Sequence, residues 1–419
     1  MKNSIKKVLI CPLDWGLGHA SRCVPIIYEL LNQKFKIIIA ADNLPLEFLK
    51  KEFKNVEFVK FPSFYKISYS KKVPFSIKLF FQIPKIILGI YKEHIFLKKI
   101  IKKFNINIVI SDNRFGLFNK NIFTIFITHQ ILIKMPFYLK FLEFPIYFLN
   151  KYIIEKYNLL WIPDNEKSPF FSGDLSHKNK LPKNAKFIGI LSRFSINQKN
   201  ADIFKKKFFV KKCRYFQKKI SYKKTPYFQK NFFYKKNADI FKKKFFFKKI
   251  PYFQKKIFQK SKIKKILIIL SGIEPQRTLL ENILVENFKH SVYEIRLIRG
   301  KPNEKKFFKR YNILFFSHLK SDKMKKMIKS SDLIICRSGY SSVMDLLILK
   351  KKAILIPTPG QTEQEYLSEF LKSKKLFYSV LQNNFNFEKD SKRIFFFKKN
   401  QFFLKKNILK NEIKNLNKI

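Results

Sequence analysis

The most reactive residue types near the start of the chain lie in one glycine-containing segment, residues 14–22 (DWGLGHASR). Gly16 and Gly18 permit a tight turn that a ligand can approach closely, and the free amide groups of a helix start favour a negative or hydroxyl-bearing ligand. His19 is then a candidate for orienting or deprotonating a hydroxyl group. The alternative is a histidine that only caps its own helix.

A second turn that suits an anionic ligand follows an apolar run in the later half of the chain. Ser271 and Gly272 precede a helical pattern there, so their amides and the serine hydroxyl can face a diphosphate at the helix start. A plain strand-to-helix turn, with Pro275 near the first helical position, is the other interpretation.

A third segment, residues 337–346 (RSGYSSVMDL), has the most specific pattern. Asp345 lies three residues after Ser342, one helical turn further on. A carboxylate there can hold both hydroxyls of a ribose while the turn holds the phosphates. The same pair can form a helix capping box, and the two roles are compatible. The other candidate ligand-binding residues of this segment are Arg337, Gly339 and Ser341.

Polar side chains also end the later loops and strands. Gln364 and Glu365 lie in residues 357–366 (PTPGQTEQEY), where amide and carboxylate groups can read several sugar hydroxyls, although a solvated loop has the same composition. In the first half, Asp112 ends an apolar run, so it is a second candidate base beside a dry cleft. Asn113 and His129 are candidates on the acceptor side. Each of the three could instead cap a strand or a helix.

Apolar runs alternate with helical patterns in both halves, which predicts parallel α/β sheets. We expect a Rossmann-like domain over residues 1–194 and a second one over residues 263–387, followed by a Lys-rich tail over 388–419. Between them, residues 195–262 form a low-complexity insert in which residues 200–220 recur almost unchanged at 237–257. Its density of like charges predicts poor order.

Composition restricts the partners and the location. Lys and Arg number 88 against 29 Asp and Glu, a net charge of +59. The excess is mostly Lys interleaved with Phe along the whole chain, and no nucleic-acid-reading motif accompanies it. An AT-rich coding sequence therefore explains the excess better than a specific nucleic acid partner does.

Four widely spaced cysteines favour a reduced, cytoplasmic protein. The apolar stretches at 75–91 and 137–154 contain charged residues and predict no transmembrane helix; they suit either a membrane surface or buried helices.

Taken together, the glycine turn, the serine turn and the 337–346 segment resemble the GT-B nucleotide-sugar glycosyltransferases, and among them the group of the peptidoglycan N-acetylglucosaminyltransferase (glycosyltransferase family 28). In that family a G-x-G-G-H turn opens the first domain, and Gly16, Gly18 and His19 match it with one glycine fewer. A G-x-x-x-R stretch precedes the second domain and matches residues 189–193 (GILSR). The resemblance therefore implies that Arg193 contacts the donor diphosphate.

The resemblance also implies roles in the second half. The family motif R-S-G-x-x-T-x-x-E appears as residues 337–345, with Ser342 for threonine and Asp345 for the ribose-binding glutamate. The family's Gly-Gly-Ser loop is replaced by residues 271–273, so Ser271 would supply the phosphate-binding hydroxyl. The Q-Q-Y motif that recognises the donor sugar appears as residues 364–366, with Glu365 for the second glutamine.

These features predict a GT-B fold of two doubly wound Rossmann-like domains facing a cleft. The expected activity is transfer of a sugar from a nucleoside diphosphate sugar, a UDP-sugar on the resemblance, to an acceptor hydroxyl that is lipid-linked in the family. We expect no metal and no cofactor, and a cytoplasmic location with contact at the inner face of the membrane. The alternatives are a nucleotide-sugar hydrolase or epimerase on the same fold, or a non-enzymatic basic protein that binds RNA or membranes.

Overall fold

The computed structural model describes residues 5–65, 82–195, 263–301, 304, 307–397 and 407–419. Apart from Ser195, the predicted insert lies outside the described residues, as does part of the predicted tail. The two halves of the chain on either side of the insert form one compact unit.

The first half builds a seven-stranded sheet in the order β3-β2-β1-β4-β5-β6-β7, and every neighbouring pair is parallel. Its central strands are nearly continuous runs of Ile, Val and Leu, as expected for strands covered on both faces. The strands are β1 Lys7–Pro12, β2 Lys36–Ala41, β3 Glu57–Lys60, β4 Ile108–Asp112, β5 Phe123–Ile127, β6 Leu159–Ile162 and β7 Ala185–Phe187. The helices are α1 Leu17–Asn32, α2 Asn43–Glu52, α3 Ile83–Phe104, α4 Glu143–Ile154 and α5 Asp174–His177, with a 3-10 turn at Phe137–Leu142 before α4.

Successive side chains of β1 point alternately into the two cores on opposite faces of the sheet. Val8 and Ile10 pack into the core beneath α1 and α2, whereas Leu9 and Cys11 pack beneath α3 and α4. This period of two follows from the pleat of the strand. The chain order reverses between β1 and β4, so the first sheet has its switch point at the carboxyl ends of these two strands.

The second half repeats the plan with a seven-stranded sheet in the order β10-β11-β9-β8-β12-β13-β14, in which only the β10–β11 pair is antiparallel. Its strands are β8 Lys265–Ile269, β9 Glu294–Ile298, β10 Phe307–Arg310, β11 Ile313–Phe316, β12 Leu333–Cys336, β13 Ala353–Leu355 and β14 Tyr378–Ser379. Its helices are α6 Gln276–Phe288, α7 Ser321–Ser330, α8 Tyr340–Leu349, α9 Thr362–Ser373, α10 Phe387–Arg393 and α11 Ile408–Asn415.

The two helix starts predicted to bind a ligand flank the switch point of the second sheet. Helix α6 packs on one face through Leu280 and Leu284, and α8 packs on the other through Val343 and Met344. Both begin at the carboxyl edge, where the neighbouring strands β8 and β12 lead in opposite directions. Crevices at such points are where open α/β sheets bind ligands.

The last described residues return to the first half. Ile413 and Leu416 are buried in the same core as α1, and Lys6 Nζ donates a hydrogen bond of 3.2 Å to the carbonyl of Leu416. Two doubly wound parallel sheets with this connection confirm the predicted fold class. Among the helices described, none combines the length and the apolar character needed to cross a bilayer.

Candidate functional site

A buried carboxylate at the switch point of the first sheet holds two side chains of α1. His19 Nδ1 lies 2.9 Å from Asp112 Oδ1, and Arg22 Nε donates a hydrogen bond of 2.7 Å to Asp112 Oδ2. Arg22 Nη2 makes a second, short contact with Asp112 Oδ1. Burial alone would raise the pKa of Asp112, but Arg22 and His19 outweigh it and hold that pKa well below its usual range. Asp112 is therefore a carboxylate at neutral pH.

Arg22 continues the contacts toward the second half of the chain. Its Nη1 atom lies 3.1 Å from His129 Nδ1, and His129 Nε2 lies 2.9 Å from Glu363 Oε1 in α9. A guanidinium only donates, so Nδ1 of His129 accepts and its Nε2 carries the proton that is donated to Glu363. Burial lowers the pKa of His129 despite the opposing carboxylate of Glu363, which agrees with a neutral ring.

The start of α8 packs against His129 and the glycine turn of the first half. The Tyr340 ring stacks on His129 with centroids 4.1 Å apart and planes at 8°, and its hydroxyl donates to the carbonyl of Pro163 at 2.9 Å. Ser341 Oγ donates to the carbonyl of Gly18 at 3.0 Å. A Cβ atom on Gly18 would lie 3.2 Å from Ser341 Oγ. The glycine turn of the first half and the serine turn of the second half are thus in direct contact.

Asp345 is placed one turn further along α8. Ser192 Oγ donates to its Oδ1 at 2.5 Å, and Arg193 Nε lies 3.5 Å from its Oδ2. Arg193 also lies over the rings of Phe194 and Phe48, at 4.9 and 5.7 Å from their centroids. Burial raises the pKa of Asp345, against the opposing effect of Arg193. The structure thus brings together the two residues that the resemblance assigns to ribose and diphosphate.

Other candidate donor residues are engaged within the second half. Arg337 is fully buried and donates to the carbonyl oxygens of Pro357 and Gln276 and to the side chain of Gln382, at 2.7–3.0 Å. Its burial lowers its pKa to about 10. Gln364 Oε1 accepts from the amide and the hydroxyl of Thr358 at 3.0 and 3.1 Å. These contacts shape the loops around the switch point.

Glu365 also shapes a loop near the switch point, because its Oε1 accepts a hydrogen bond of 2.8 Å from the amide of Gly360.

Gly272 has a positive φ of 101°, and a Cβ atom added to it would lie 4.0 Å from Thr358 Oγ1. Ser271 precedes it, at the carboxyl end of β8. Gly339 has open space where a side chain would be, and the amide of Ser342 donates to the carbonyl of Gly339 at 2.9 Å. Gly339 and Ser342 therefore lie at the start of α8, and Ser271 and Gly272 lie in the turn that precedes α6.

Two remaining candidates have left-handed backbone. Gly16 has a φ of 124° at the start of α1, and Asn113 has a φ of 59° immediately after β4. The amide of Asn113 donates to the carbonyl of Ile127 at 3.1 Å, which ties the end of β4 to β5. Both residues lie at the carboxyl edge that carries His19 and Asp112.

Sequence reasoning missed two members of the buried cluster. Arg22 lies three residues after His19, so the helical repeat places both on one face of α1, and this spacing was an available signal. Glu363 precedes the predicted Gln364 and Glu365, and nothing in its spacing marks it as a partner of His129. Within the described ranges, no group of three His, Cys, Asp or Glu side chains is arranged to hold a metal ion.

Comparison with known proteins agrees with this geometry. Residues 266–418 match the glycosyltransferase family 28 C-terminal domain. The UDP-N-acetylglucosamine--N-acetylmuramyl-(pentapeptide) pyrophosphoryl-undecaprenol N-acetylglucosamine transferase of Prochlorococcus marinus is 26% identical over 170 residues, which are 37% of this chain and 47% of that protein. The match thus spans about half the length of that curated relative.

Solved glycosyltransferases share the fold over nearly the whole chain. The glycotransferase of kitacinnamycin superposes with a TM-score of 0.56 at 10% identity, covering 99% of this chain and 95% of its own. The calicheamicin glycosyltransferase CalG4 has a TM-score of 0.53 at 9% identity, and SnogD from Streptomyces nogalater has 0.51 at 9%; each covers 99% of this chain and 94% of the other. At these identities the likeness establishes the architecture.

The two sheets, their facing carboxyl edges and these superpositions show the GT-B fold. Residues 266–418 match the glycosyltransferase family 28 C-terminal domain, and part of the chain is similar to the transferase of Prochlorococcus marinus.

Proposed function

We propose that this protein transfers a sugar from a nucleoside diphosphate sugar to an acceptor hydroxyl, with His19 as the base. The observation that carries the proposal is the contact of 2.9 Å between His19 Nδ1 and the buried Asp112 carboxylate, at the edge where the two halves meet. A histidine held through one nitrogen by a carboxylate is the arrangement that acyl transferases and related enzymes use to activate a hydroxyl.

His19 Nδ1 lies 2.9 Å from Asp112 Oδ1, which only accepts, and also 2.9 Å from Arg22 Nη2, which only donates. The proposed mechanism uses the tautomer in which Nδ1 donates its proton to Asp112, because Nε2 then has a free lone pair. The side chain of His19 is 19% exposed, so a substrate can reach it. Nε2 takes the proton of the acceptor hydroxyl while that oxygen bonds to the anomeric carbon and the bond from that carbon to the diphosphate breaks.

The donor would lie at the switch point of the second sheet. The amides at the starts of α6 and α8 would face the leaving diphosphate, with Ser271, Ser342 and Arg193 beside it, because helix starts stabilise developing negative charge. Asp345 would hold the ribose hydroxyls. Gln364 and Glu365 shape the loop next to the donor sugar.

The acceptor that we propose is lipid-linked, since the curated relative is named for a pyrophosphoryl-undecaprenol acceptor. An exposed aromatic surface on the first half supports this. Helix α4 buries Tyr147 and Ile154 against the sheet, while its opposite face is exposed. We define the aromatic surface as the exposed rings of Phe137, Phe141, Phe144, Phe148 and Tyr152. Exposed Lys140 and half-buried Lys151 accompany these rings, a composition that suits an anionic membrane.

Donor binding and transfer test the proposal with the full chain. We expect one of a panel of nucleotide-sugars, a UDP-sugar first, to raise the melting temperature, because a ligand stabilises the state that it binds. With that donor and a lipid-linked hydroxyl acceptor, the product should be the glycosylated lipid. His19→Ala should lower kcat by about 10²–10⁴ while leaving donor binding intact, and His290→Ala, at an exposed histidine, is the matched control.

Other products would favour the rival activities. Free sugar and nucleotide in the absence of acceptor would indicate a hydrolase, and an altered donor sugar would indicate an epimerase. Salt-sensitive binding to arbitrary RNA without any donor binding would indicate a basic binding protein.

A further inference from the structure

A continuous series of side-chain contacts joins the second half of the chain to the His19–Asp112 pair. It begins at Glu363 in α9, passes through His129 at 2.9 Å and Arg22 at 3.1 Å, and ends on Asp112, which Arg22 holds by two donors. His129 is 4% exposed, Arg22 is 2% exposed and Asp112 is fully buried, whereas the side chain of Glu363 is 21% exposed, so water screens the charges little except at the Glu363 end.

The charges along this series do not cancel when His19 is neutral. Arg22 carries one positive charge, and Asp112 and Glu363 each carry one negative charge. Burial acts against a charged Glu363, but the hydrogen bond from His129 and the positive charge of Arg22 hold its pKa below the usual range, so it is ionised. His129 is neutral for the reasons given above. A proton on His19 would bring the cluster to zero net charge.

Within the described ranges, two further titratable groups contact this cluster, and both are neutral. Cys23, on α1, has its Sγ atom 3.5 Å from Asp112 Oδ2, and its burial raises its pKa well above the usual value. Tyr340, at the start of α8, is stacked on His129, and burial likewise raises its pKa. Glu363 is therefore the extra negative charge, and it comes from the opposite half of the molecule.

We infer that Glu363 is a positioning residue for sugar transfer: through His129 and Arg22 it orients the His19–Asp112 pair and supplies the negative charge that favours a proton on His19. The inference rests on the proposed function for its catalytic meaning. It makes the strength of the base depend on contact between the two halves, because without Glu363 only Asp112 balances the positive charge of Arg22, which lies 2.9 Å from His19 Nδ1. His19 would then reach its full basicity only when α9 is in contact with the first half of the chain.

The test compares Glu363→Gln with Glu369→Gln in the full chain. Glu369 lies on the same helix and is exposed, so its substitution controls for loss of charge on α9. Ring signals of His19 are followed by NMR across pH; the chain has only six histidines, so the signals can be assigned by single substitutions. We expect Glu363→Gln to lower the midpoint of the His19 signals, because it removes a negative charge from the series of contacts that ends at His19 and Asp112. Glu369→Gln should leave it unchanged.

Kinetics give the second readout. Glu363→Gln should lower kcat roughly 3- to 10-fold, move the acidic limb of the pH profile to lower pH and leave KM for the donor unchanged, because a weaker base slows proton removal. Glu363→Asp, which keeps the charge on a shorter side chain, should restore part of both effects. An unmoved His19 midpoint would overturn the inference, as would a raised donor KM with unchanged kcat, which would make Glu363 a sugar contact.

The NMR measurement separates this inference from the proposed function, since it needs no substrate. A shifted His19 midpoint in a protein that transfers no sugar would support the link between Glu363 and His19 and remove the transferase assignment. If Glu363→Gln destabilises the fold, the Glu363→Asp variant and the wild type still provide the comparison, because both retain the charge at different distances from His129.

Discussion

Ser192 Oγ donates a hydrogen bond of 2.5 Å to Asp345 Oδ1, so the last residues before the insert hold the carboxylate expected to bind ribose. Arg193 is 3.5 Å from the other oxygen of the same carboxylate. A ribose hydroxyl would donate to this carboxylate in the same way as the hydroxyl of Ser192. In the proposed donor site, the connection between the halves and the nucleotide would therefore compete for one group.

This competition predicts opposite effects of two substitutions on nucleotide affinity. Asp345→Ala should weaken UDP binding about 10- to 100-fold, the range expected for lost hydrogen bonds to a charged group. Ser192→Ala frees the carboxylate and should leave the affinity unchanged or strengthen it a few fold. Calorimetric titration with UDP gives both values, and melting temperatures serve as the control for folding. If Asp345 only fastens the connection, neither variant will alter UDP affinity.

Removing the charge of Asp112 should destabilise the fold as well as the reaction. Asp112→Asn leaves the buried guanidinium of Arg22 without its counter-charge, and we expect a loss of about 3 kcal/mol in the free energy of unfolding at pH 7. Urea unfolding measures this loss, with the exposed Glu369→Gln as the control. A variant as stable as the wild type at pH 7 would contradict the role assigned to the ion pair.

The same pair predicts a dependence on acid. Because Arg22 and His19 hold the pKa of Asp112 below its unfolded value of about 3.9, its contribution is complete above that value and is lost as pH falls through the folded pKa. The difference in unfolding free energy between wild type and Asp112→Asn should therefore be constant from pH 7 to about pH 5. Below about pH 4 it should shrink. A difference that grows on acidification would contradict the depressed pKa.

Most of the fold could be predicted because its strands are buried on both faces. Runs such as residues 36–41 and 333–336 are almost wholly apolar and coincide with β2 and β12. Strand β10 (Phe307–Arg310) was missed because it is exposed along its whole length and lacks a buried run. Strand β14 was missed because it has only two residues. The last strand of the first half, Ala185–Phe187, has only three residues, although Ile188 and Gly189 after it still donate to the carbonyls of Ile162 and Asp164 at 2.9 and 3.1 Å.

The site was predictable only where one strand–turn–helix unit contains it. The segments around His19, Ser271 and Ser342 follow a local rule, an apolar strand followed by a small-residue turn and a helix. The cluster of Arg22, His129 and Glu363 depends instead on the order of the strands and on the seating of one half against the other. That order is set by tertiary packing, and a single sequence does not contain it.

His318 should make stability depend on pH in the mildly acid range. Burial, with Arg193 and Lys51 nearby, lowers the pKa of His318 to about 4, and its ring lies edge-on to Phe48 at 5.9 Å. The unfolded chain binds a proton below about pH 6.5 and the folded one does not, so stability is complete above that pH and falls between about 6.5 and 4. His318→Gln should flatten this loss in urea unfolding at pH 7, 6 and 5. His290→Gln should not, and equal pH slopes for all three proteins would contradict the buried neutral ring.

The aromatic surface should determine attachment to anionic membranes. Phe141, Phe144 and Phe148 are 72%, 67% and 50% exposed, so changing all three to Ser removes little packing from the folded protein. Each ring inserted into the interface contributes roughly 1 kcal/mol, so the triple variant should bind vesicles of phosphatidylcholine and phosphatidylglycerol about 100-fold more weakly. Phe396→Ser, at a ring of the second half that is 81% exposed, is the matched control and should bind as the wild type does.

Ionic strength distinguishes the electrostatic contribution to membrane binding from the hydrophobic one. Raising the ionic strength should weaken wild-type binding, because the lysines are attracted to the anionic lipid over a distance that salt shortens. The insertion of the rings should persist at high salt. A triple variant that sediments with vesicles as the wild type does would instead show that the general positive charge of the chain holds it at the membrane. In that case the lipid-linked acceptor would have to reach His19 without help from this face of α4.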